Sequence, residues 1–305
     1  MKEKVLEINH LTVKFRMYDS GLQQKDLEVI SDLNVQIHAG EIVAIAGSSG
    51  SGKSLLADAI MGILPSNAMV LGSMNFCGKE LTADYQRKLR GHEMCLVPQS
   101  VSYLDPLMQV GKQARGKVTS AKEQREIFER YGLAPEVDKM YPFQLSGGMA
   151  RRVLIASAVL GHPKLIIADE PTPGLSLDLA KQALADFRKL ADEGCAIMLI
   201  THDIDLAFEV ADKVAIFYAG TTLEIADAKE FQNGGKNVRH PYSKALCRAL
   251  PQNEFEPIEG FQPYAGTIQK GCRFIERCSM RTKECCEDIP MQTVRNGEVK
   301  CIHAS

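Results

Sequence analysis

The sequence predicts an α/β protein with parallel core strands, and three observations carry that expectation. Short β-rich runs occur at 5–15 (VLEINHLTVKF), 27–37 (LEVISDLNVQI) and 41–47 (EIVAIAG), and again at 164–170 (KLIIADE), 195–203 (CAIMLITHD) and 213–220 (KVAIFYAG). They alternate with helical patterns at 145–160 and 177–193, the arrangement that builds a parallel sheet covered by helices. A glycine-rich run, GSSGSGKS, fills the turn between one such strand and the helix-like SLLADAIMGI. Finally, 305 residues with 45% apolar content are enough for about two domains of roughly 150 residues and a sizeable core.

In chain order, the two early runs lead to the strand EIVAIA and the glycine-rich turn. From about 100 to 145 the pattern becomes helical and polar, clearest in SAKEQREIFERYGLA at 120–134, and predicts a helical insertion into the α/β core. The core then resumes and runs to about residue 235. From 236 to 305 the chain is rich in proline, charge and cysteine and predicts an irregular extension standing apart from the sheet. The expected domains are therefore 1–235 and 236–305.

With 36 basic and 38 acidic residues, net charge −2, nothing favours nucleic-acid binding by the whole chain. No window approaches the roughly 18–20 apolar residues of a spanning helix, and MKEKVLEINH lacks the apolar stretch of a signal peptide, so a cytosolic location is expected. Of nine cysteines, Cys77, Cys95, Cys195 and Cys247 are scattered singly and are expected to act as small buried hydrophobes. Cys272, Cys278, Cys285, Cys286 and Cys301 crowd together near residue 300. In a reducing compartment such crowding points to metal rather than disulfides.

GSSGSGKS spans Gly47, Ser48, Ser49, Gly50, Ser51, Gly52, Lys53 and Ser54, and Leu55 follows. It fits the phosphate-binding loop G-x-x-x-x-G-K-[ST] in the required strand–turn–helix context. Glycine lets backbone N–H groups curl around phosphate oxygens, and the following helix directs its positive end at the same anion. Lys53 would neutralise the β- and γ-phosphates, and Ser54 would offer its hydroxyl to Mg²⁺. Downstream, KLIIADE ends a strand on Asp169, placed to hold the Mg²⁺ water shell, and Glu170, placed to polarise an attacking water. LITHD presents His202 at another strand end, and LSGGM at 145–149 precedes a helix.

In these motifs and their order the sequence resembles the ATP-binding subunits of ATP-binding cassette transporters over nearly its whole length. The resemblance implies a P-loop NTPase with a cassette core and a small antiparallel β subdomain. It implies that Gln99 in LVPQS senses Mg²⁺ and couples to membrane subunits, and that Asp169 and Glu170 are the metal-binding and catalytic acids. His202 would be the γ-phosphate switch, and Ser146, Gly147 and Gly148 the signature that meets ATP on an opposite subunit. Phe15 matches the aromatic that stacks on adenine, with Tyr18 close by. Two positions depart from the pattern: Ser176 stands in PTPGLSLDLA where an aspartate is expected, two residues before Asp178, and Arg151 stands where many relatives have Gln.

HPYSKALCRALP at 240–251 followed by GCRFIERC resembles the C-terminal extension of ATPases of dipeptide, oligopeptide and nickel importers. In several of these the extension carries an iron–sulfur cluster, and the matching thiols are Cys272, Cys278, Cys285 and Cys301, spaced C-x5-C-x6-C-x15-C. Four thiolates suit [4Fe–4S] or tetrahedral zinc, and the spacing does not choose between them. The expected function is an ATP-hydrolysing importer subunit for peptides or nickel and metal chelates, peripheral on the cytoplasmic face of the membrane. Its expected partners are a second ATPase subunit, two permease subunits and an extracytoplasmic binding protein. The alternative is a soluble cassette ATPase of DNA repair or translation. Against it, the chain lacks the long heptads of the first and the two cassettes of the second.

Overall fold

A computed structural model describes residues 2–18, 23–48, 50–116, 119–264 and 270–304. The strands are β1 (Lys4–Tyr18), β2 (Gln24–His38), β3 (Ile42–Ala46), β4 (Ala68–Phe76), β5 (Lys79–Glu80), β6 (Met94–Val97), β7 (Leu165–Asp169), β8 (Ala196–Thr201), β9 (Lys213–Tyr218), β10 (Thr221–Asp227), β11 (Gln292–Val294) and β12 (Gly297–Val299). The helices are α1 (Lys53–Met61), α2 (Ala83–Leu89), α3 (Val110–Arg115), α4 (Ala121–Arg130), α5 (Gly147–Val159), α6 (Leu177–Asp192), α7 (Ile204–Val210), α8 (Ala228–Gly235) and α9 (Pro241–Arg248).

Two sheets form. An antiparallel sheet runs in the order β2-β1-β4-β5, and a larger one runs β11-β12-β10-β9-β3-β8-β7-β6. Within the larger sheet every pairing from β9 to β6 is parallel, as the alternation of strands and helices predicts. Period-2 alternation then gives each core strand two buried faces. Ile42, Ala44 and Ala46 of β3 pack toward α5 and α6, while Val43 and Ile45 face α1 and the antiparallel sheet. Strands β7 and β8 divide the same way, with Ile166, Ala168, Ile197 and Leu199 on one side and Leu165, Ile167, Met198 and Ile200 on the other.

The segment expected to be a helical insertion holds α3, α4 and three short 3-10 turns. Its anchor is α4, capped by Ser120 accepting from Glu123 N at 3.1 Å, with Phe128 buried in the core.

The stretch beyond 235 departs from expectation. It does not stand apart from the sheet: β12 pairs antiparallel with β10, Glu224 opposite Val299, and β11 pairs with β12. The edge of β10 leaves backbone donors and acceptors that need partners, and this hairpin supplies them. Strands of three residues are too short for alternation to reveal. Arg239, fully buried, ties the hairpin down by donating from Nε to Val294 O at 2.6 Å. Its other nitrogens meet Glu224 at 3.3 Å and Glu230 at 2.9 Å, so the buried charge is paired.

Candidate functional site

Because β3, β7, β8 and β6 run parallel and side by side, the residues that follow them emerge along one edge of the sheet, where open α/β sheets bind ligands. The glycine-rich turn follows β3, Glu170 follows β7, His202 follows β8, and Gln99 lies two residues beyond β6.

The turn is shaped by close approach and by backbone conformation. A Cβ on Gly47 would lie 2.1 Å from Phe217 O, and Gly52 has φ +98°, a left-handed conformation that other residues adopt at a cost. Ser49 lies outside the described residues. Lys53, buried, curls back and donates to Gly47 O and Ser48 O, both at 2.8 Å. Burial pulls its ammonium below the usual lysine range, opposed by the nearby Glu170 and Asp169. Leu55, half-buried, packs against the core on the α1 side.

Asp169 ends β7 almost fully buried. Burial raises its carboxyl above the usual range against a hydrogen bond from Ser54, and its Oδ1 has no hydrogen-bond partner. A buried carboxylate oxygen left open beside a serine hydroxyl is a hard oxygen donor set that fits a divalent cation such as Mg²⁺. Glu170 follows with φ +49°, an uncommon conformation for a non-glycine residue and one concentrated at functional sites. Its Oε2 lies 2.7 Å from His202 Nδ1, a close approach whose geometry is not that of a hydrogen bond. The glutamate is buried and the histidine exposed (8% and 66% of the side chains).

Gln99 is exposed, but its main-chain oxygen accepts from Arg151 Nη2 at 2.6 Å, and Pro98 O accepts from Nη1 at 2.8 Å. Ser146 caps α5 by accepting from Met149 N at 3.3 Å. Ser146 and Gly147 are exposed and Gly148 half-buried. Among the described residues no hydrogen bond or ion pair joins 146–148 to the glycine-rich turn. Phe15 is half-buried on β1 and packs against the core, whereas Tyr18 is 67% exposed at the strand's end.

Sequence reasoning missed three neighbours of the site. Arg151 registers in the sequence only as a departure from the family pattern. Tyr242 and Gln262 lie in the extension, yet Gln262 accepts a hydrogen bond from the Ser48 hydroxyl and Tyr242 lies close enough to Ser48 for it to affect the tyrosine's titration. The tyrosine's place in HPY marks a motif, but no spacing rule places it against residue 48.

The thiols of Cys272, Cys278, Cys285 and Cys301 fall within electrostatic reach of one another. Among the described residues, however, no three His, Cys, Asp or Glu side chains are gathered to hold a metal ion, so the expected cluster site is not assembled. The sulfurs also have neighbours of their own. Cys285 Sγ lies 3.6 Å from His303 Nε2, Cys301 Sγ accepts from His303 N at 3.4 Å, and Cys272 Sγ lies 4.0 Å from His240 Nε2. Burial pushes the Cys272 thiol up to about 11, so it is neutral at pH 7. The scattered Cys95, Cys195 and Cys247 are buried and Cys77 half-buried.

The ABC transporter family profile matches residues 30–173, and that of the oligopeptide/dipeptide transporter C-terminal region matches 223–285. The chain is 34% identical to the oligopeptide transport ATP-binding protein OppD of Salmonella typhimurium, covering 97% of this chain and 92% of that protein. It is also 34% identical to the dipeptide transport ATP-binding protein DppD of Bacillus subtilis, over 96% and 92%. A dimeric ATP-binding cassette solved in a post-hydrolysis state with ADP and phosphate superposes with TM-score 0.63 at 26% identity, covering 73% of this chain and 98% of that one. The chain therefore belongs to the ATP-binding cassette transporter family, as an ATP-hydrolysing subunit. No helix among the described residues is long and apolar enough to cross a membrane.

Proposed function

We propose that this chain powers the uptake of dipeptides or oligopeptides, working at the cytoplasmic face of the membrane with a second cassette subunit, two permease subunits and an extracytoplasmic binding protein. The observation that carries the catalytic part is the 2.7 Å contact between Glu170 and His202 at the mouth of the phosphate loop. Glu170, beside His202, accepts a proton from the attacking water through a carboxylate oxygen. When bound, Mg²⁺ and ATP supply the phosphoryl group and the positive charge that offsets charge developing on its oxygens. Ser54 and Asp169 hold the cation, with Gln99 beside it. Lys53 exchanges its two loop carbonyls for phosphate oxygens, and the aromatic end of β1, at Phe15, takes the adenine.

The signature Ser146–Gly148, exposed at Ser146 and Gly147 and lying at the start of a 13-residue helix, meets the partner's nucleotide with free N–H groups. Exposed Phe143 and Leu177 flank that face. Val101, Tyr103, Leu107 and Met108 are also exposed, on the segment just after Gln99, and supply an apolar docking surface for a permease. The peptide cargo rests on the relatives' names.

A narrower proposal concerns the tail, where the spacing and mutual proximity of the four thiols support an iron–sulfur or zinc staple that forms only if they close up from their present positions. Iron with stoichiometric sulfide, or one zinc per chain, in anaerobically purified protein supports it. Metal-free protein overturns it.

The test of the main reading is turnover by the assembled transporter in vesicles. Glu170→Gln should retain ATP and lower hydrolysis on the order of 10²- to 10⁴-fold, while labelled peptide accumulates only with the wild-type chain. Near-wild-type hydrolysis removes Glu170 from its role, and uptake of nickel without peptide overturns the cargo.

A further inference from the structure

Ser48 is held from two sides. From within the loop, Lys53 takes its carbonyl at 2.8 Å. From outside, its hydroxyl donates to Gln262 Oε1, and Tyr242 lies close enough for Ser48 to pull the titration of the tyrosine hydroxyl down against burial. Both outside neighbours belong to the extension. Tyr242 is 2% exposed, and its ring lies 4.5 Å from that of Tyr218 and 5.2 Å from that of Phe274, with the latter two 5.6 Å apart.

Tyr218 ends β9, the strand whose Phe217 carbonyl crowds Gly47, so this aromatic stack sits directly behind the phosphate loop. Arg277 completes it by donating to Tyr218 Oη at 3.1 Å and to Glu259 O and Ile258 O at 2.7 and 2.8 Å. That fixes the segment carrying Gln262.

We infer that Gln262 is a positioning residue of the nucleotide site: through it the extension, packed on the Tyr242–Tyr218–Phe274 stack, holds Ser48, and with it the phosphate loop, in the shape that receives phosphate. The loop is made largely of glycine and serine, which lose the most freedom or offer the least packing when ordered. An external brace lowers that entropic cost of closing around an anion. The buried Tyr242 ring supplies rigidity behind the loop, and the Gln262 amide supplies the contact.

This inference rests on the ATP-binding reading, and one titration separates the two. Magnesium–ADP is titrated calorimetrically into the full chain as wild type, Gln262→Ala, Ser48→Ala and the double variant, with the nucleotide-free melting temperature of each recorded. Gln262→Ala removes the acceptor and should weaken ADP binding about 3- to 10-fold, the effect of one lost hydrogen bond, with no matching loss in melting temperature. In the Ser48→Ala background it should add nothing, because the contact is already gone. Unchanged affinity in Gln262→Ala, or a loss that adds fully to that of Ser48→Ala, overturns the inference. If Gln262→Ala fails to fold, Gln262→Met, which keeps the side chain's length without the acceptor, carries the same test with the same outcomes. Failure of the wild type itself to bind ADP overturns the ATP-binding reading instead.

Discussion

Arg151 Nη2 lies 2.6 Å from the main-chain oxygen of Gln99, joining the helix that follows the signature to the loop that follows β6. Arg151 is 7% exposed, and its other donor serves Pro98 O. Loss of the guanidinium leaves two carbonyls without their donors, at about 1–3 kcal/mol for each one that stays buried. Arg151→Met should therefore lower the melting temperature and slow hydrolysis more than it weakens nucleotide binding, since it frees the Gln99 loop without touching the phosphate loop. Arg151→Gln, with one donor group, should fall between. Identical melts and rates for all three proteins would remove the link.

Among the described residues Lys53 donates to two carbonyl oxygens of its own loop, so its ammonium has an exchangeable set of acceptors. Lys53→Ala should weaken magnesium–ATP binding roughly 10- to 100-fold, the scale of charge-assisted hydrogen bonds worth about 1.5–3 kcal/mol. Equilibrium dialysis with labelled ATP checks it, and affinity within twofold of wild type contradicts the role.

His240 is buried and lowered to about 3, chiefly by burial, with Lys244 adding repulsion. Its Nδ1 accepts from Tyr242 N at 3.0 Å, which requires the neutral ring. The folded value lies below the unfolded one near 6.5, so the unfolded chain binds the extra proton between about pH 6.5 and 3. Stability is full above pH 6.5 and falls as pH drops through that window, by up to about 1.4 kcal/mol per pH unit from this residue. His240→Asn keeps an acceptor at the cap and does not titrate. Denaturant unfolding at pH 5 and pH 7 should show a smaller difference for the variant than for wild type, and equal differences would refute the assignment.

Ser176 caps α6 by accepting from Leu179 N at 3.4 Å, which gives a local reason for serine where the family carries aspartate. Aspartate caps equally well. Ser176→Asp should leave stability within about 0.5 kcal/mol, whereas Ser176→Ala should cost about 1 kcal/mol. Thermal melts of the two variants decide it. A large loss in Ser176→Asp would mean that the aspartate cannot take the capping geometry.

The parallel character of β3, β7, β8 and β9 was legible because each is an apolar run alternating with helical patterns, and three of them lead into a motif with its own chemistry, as in IIAD before Glu170 and LITHD around His202; their order and the strand β6 were not. The helical insertion was legible from the polar helix around Phe128. What escaped detection was long-range. Tyr242 and Gln262 reach Ser48 through tertiary packing, which leaves no periodic trace. The hairpin β11–β12 is too short for a pattern, and the main-chain bonds of Arg151 depend on where a loop lies. For the cysteines, crowding in the sequence carries over into proximity in the fold, although among the described residues no three metal-binding side chains gather about one point.

The pairing of Glu224 with Val299 also bears on how the chain reaches its native state. Closing so long a loop carries a large entropic cost, so this pairing forms after the local helices and the central strands. Until then β10 presents an open row of amide and carbonyl groups, the surface through which β proteins self-associate. The hairpin thus acts as a built-in gatekeeper. Nascent or clipped chains lacking it would fail by edge-to-edge aggregation, even with every residue that handles phosphate intact.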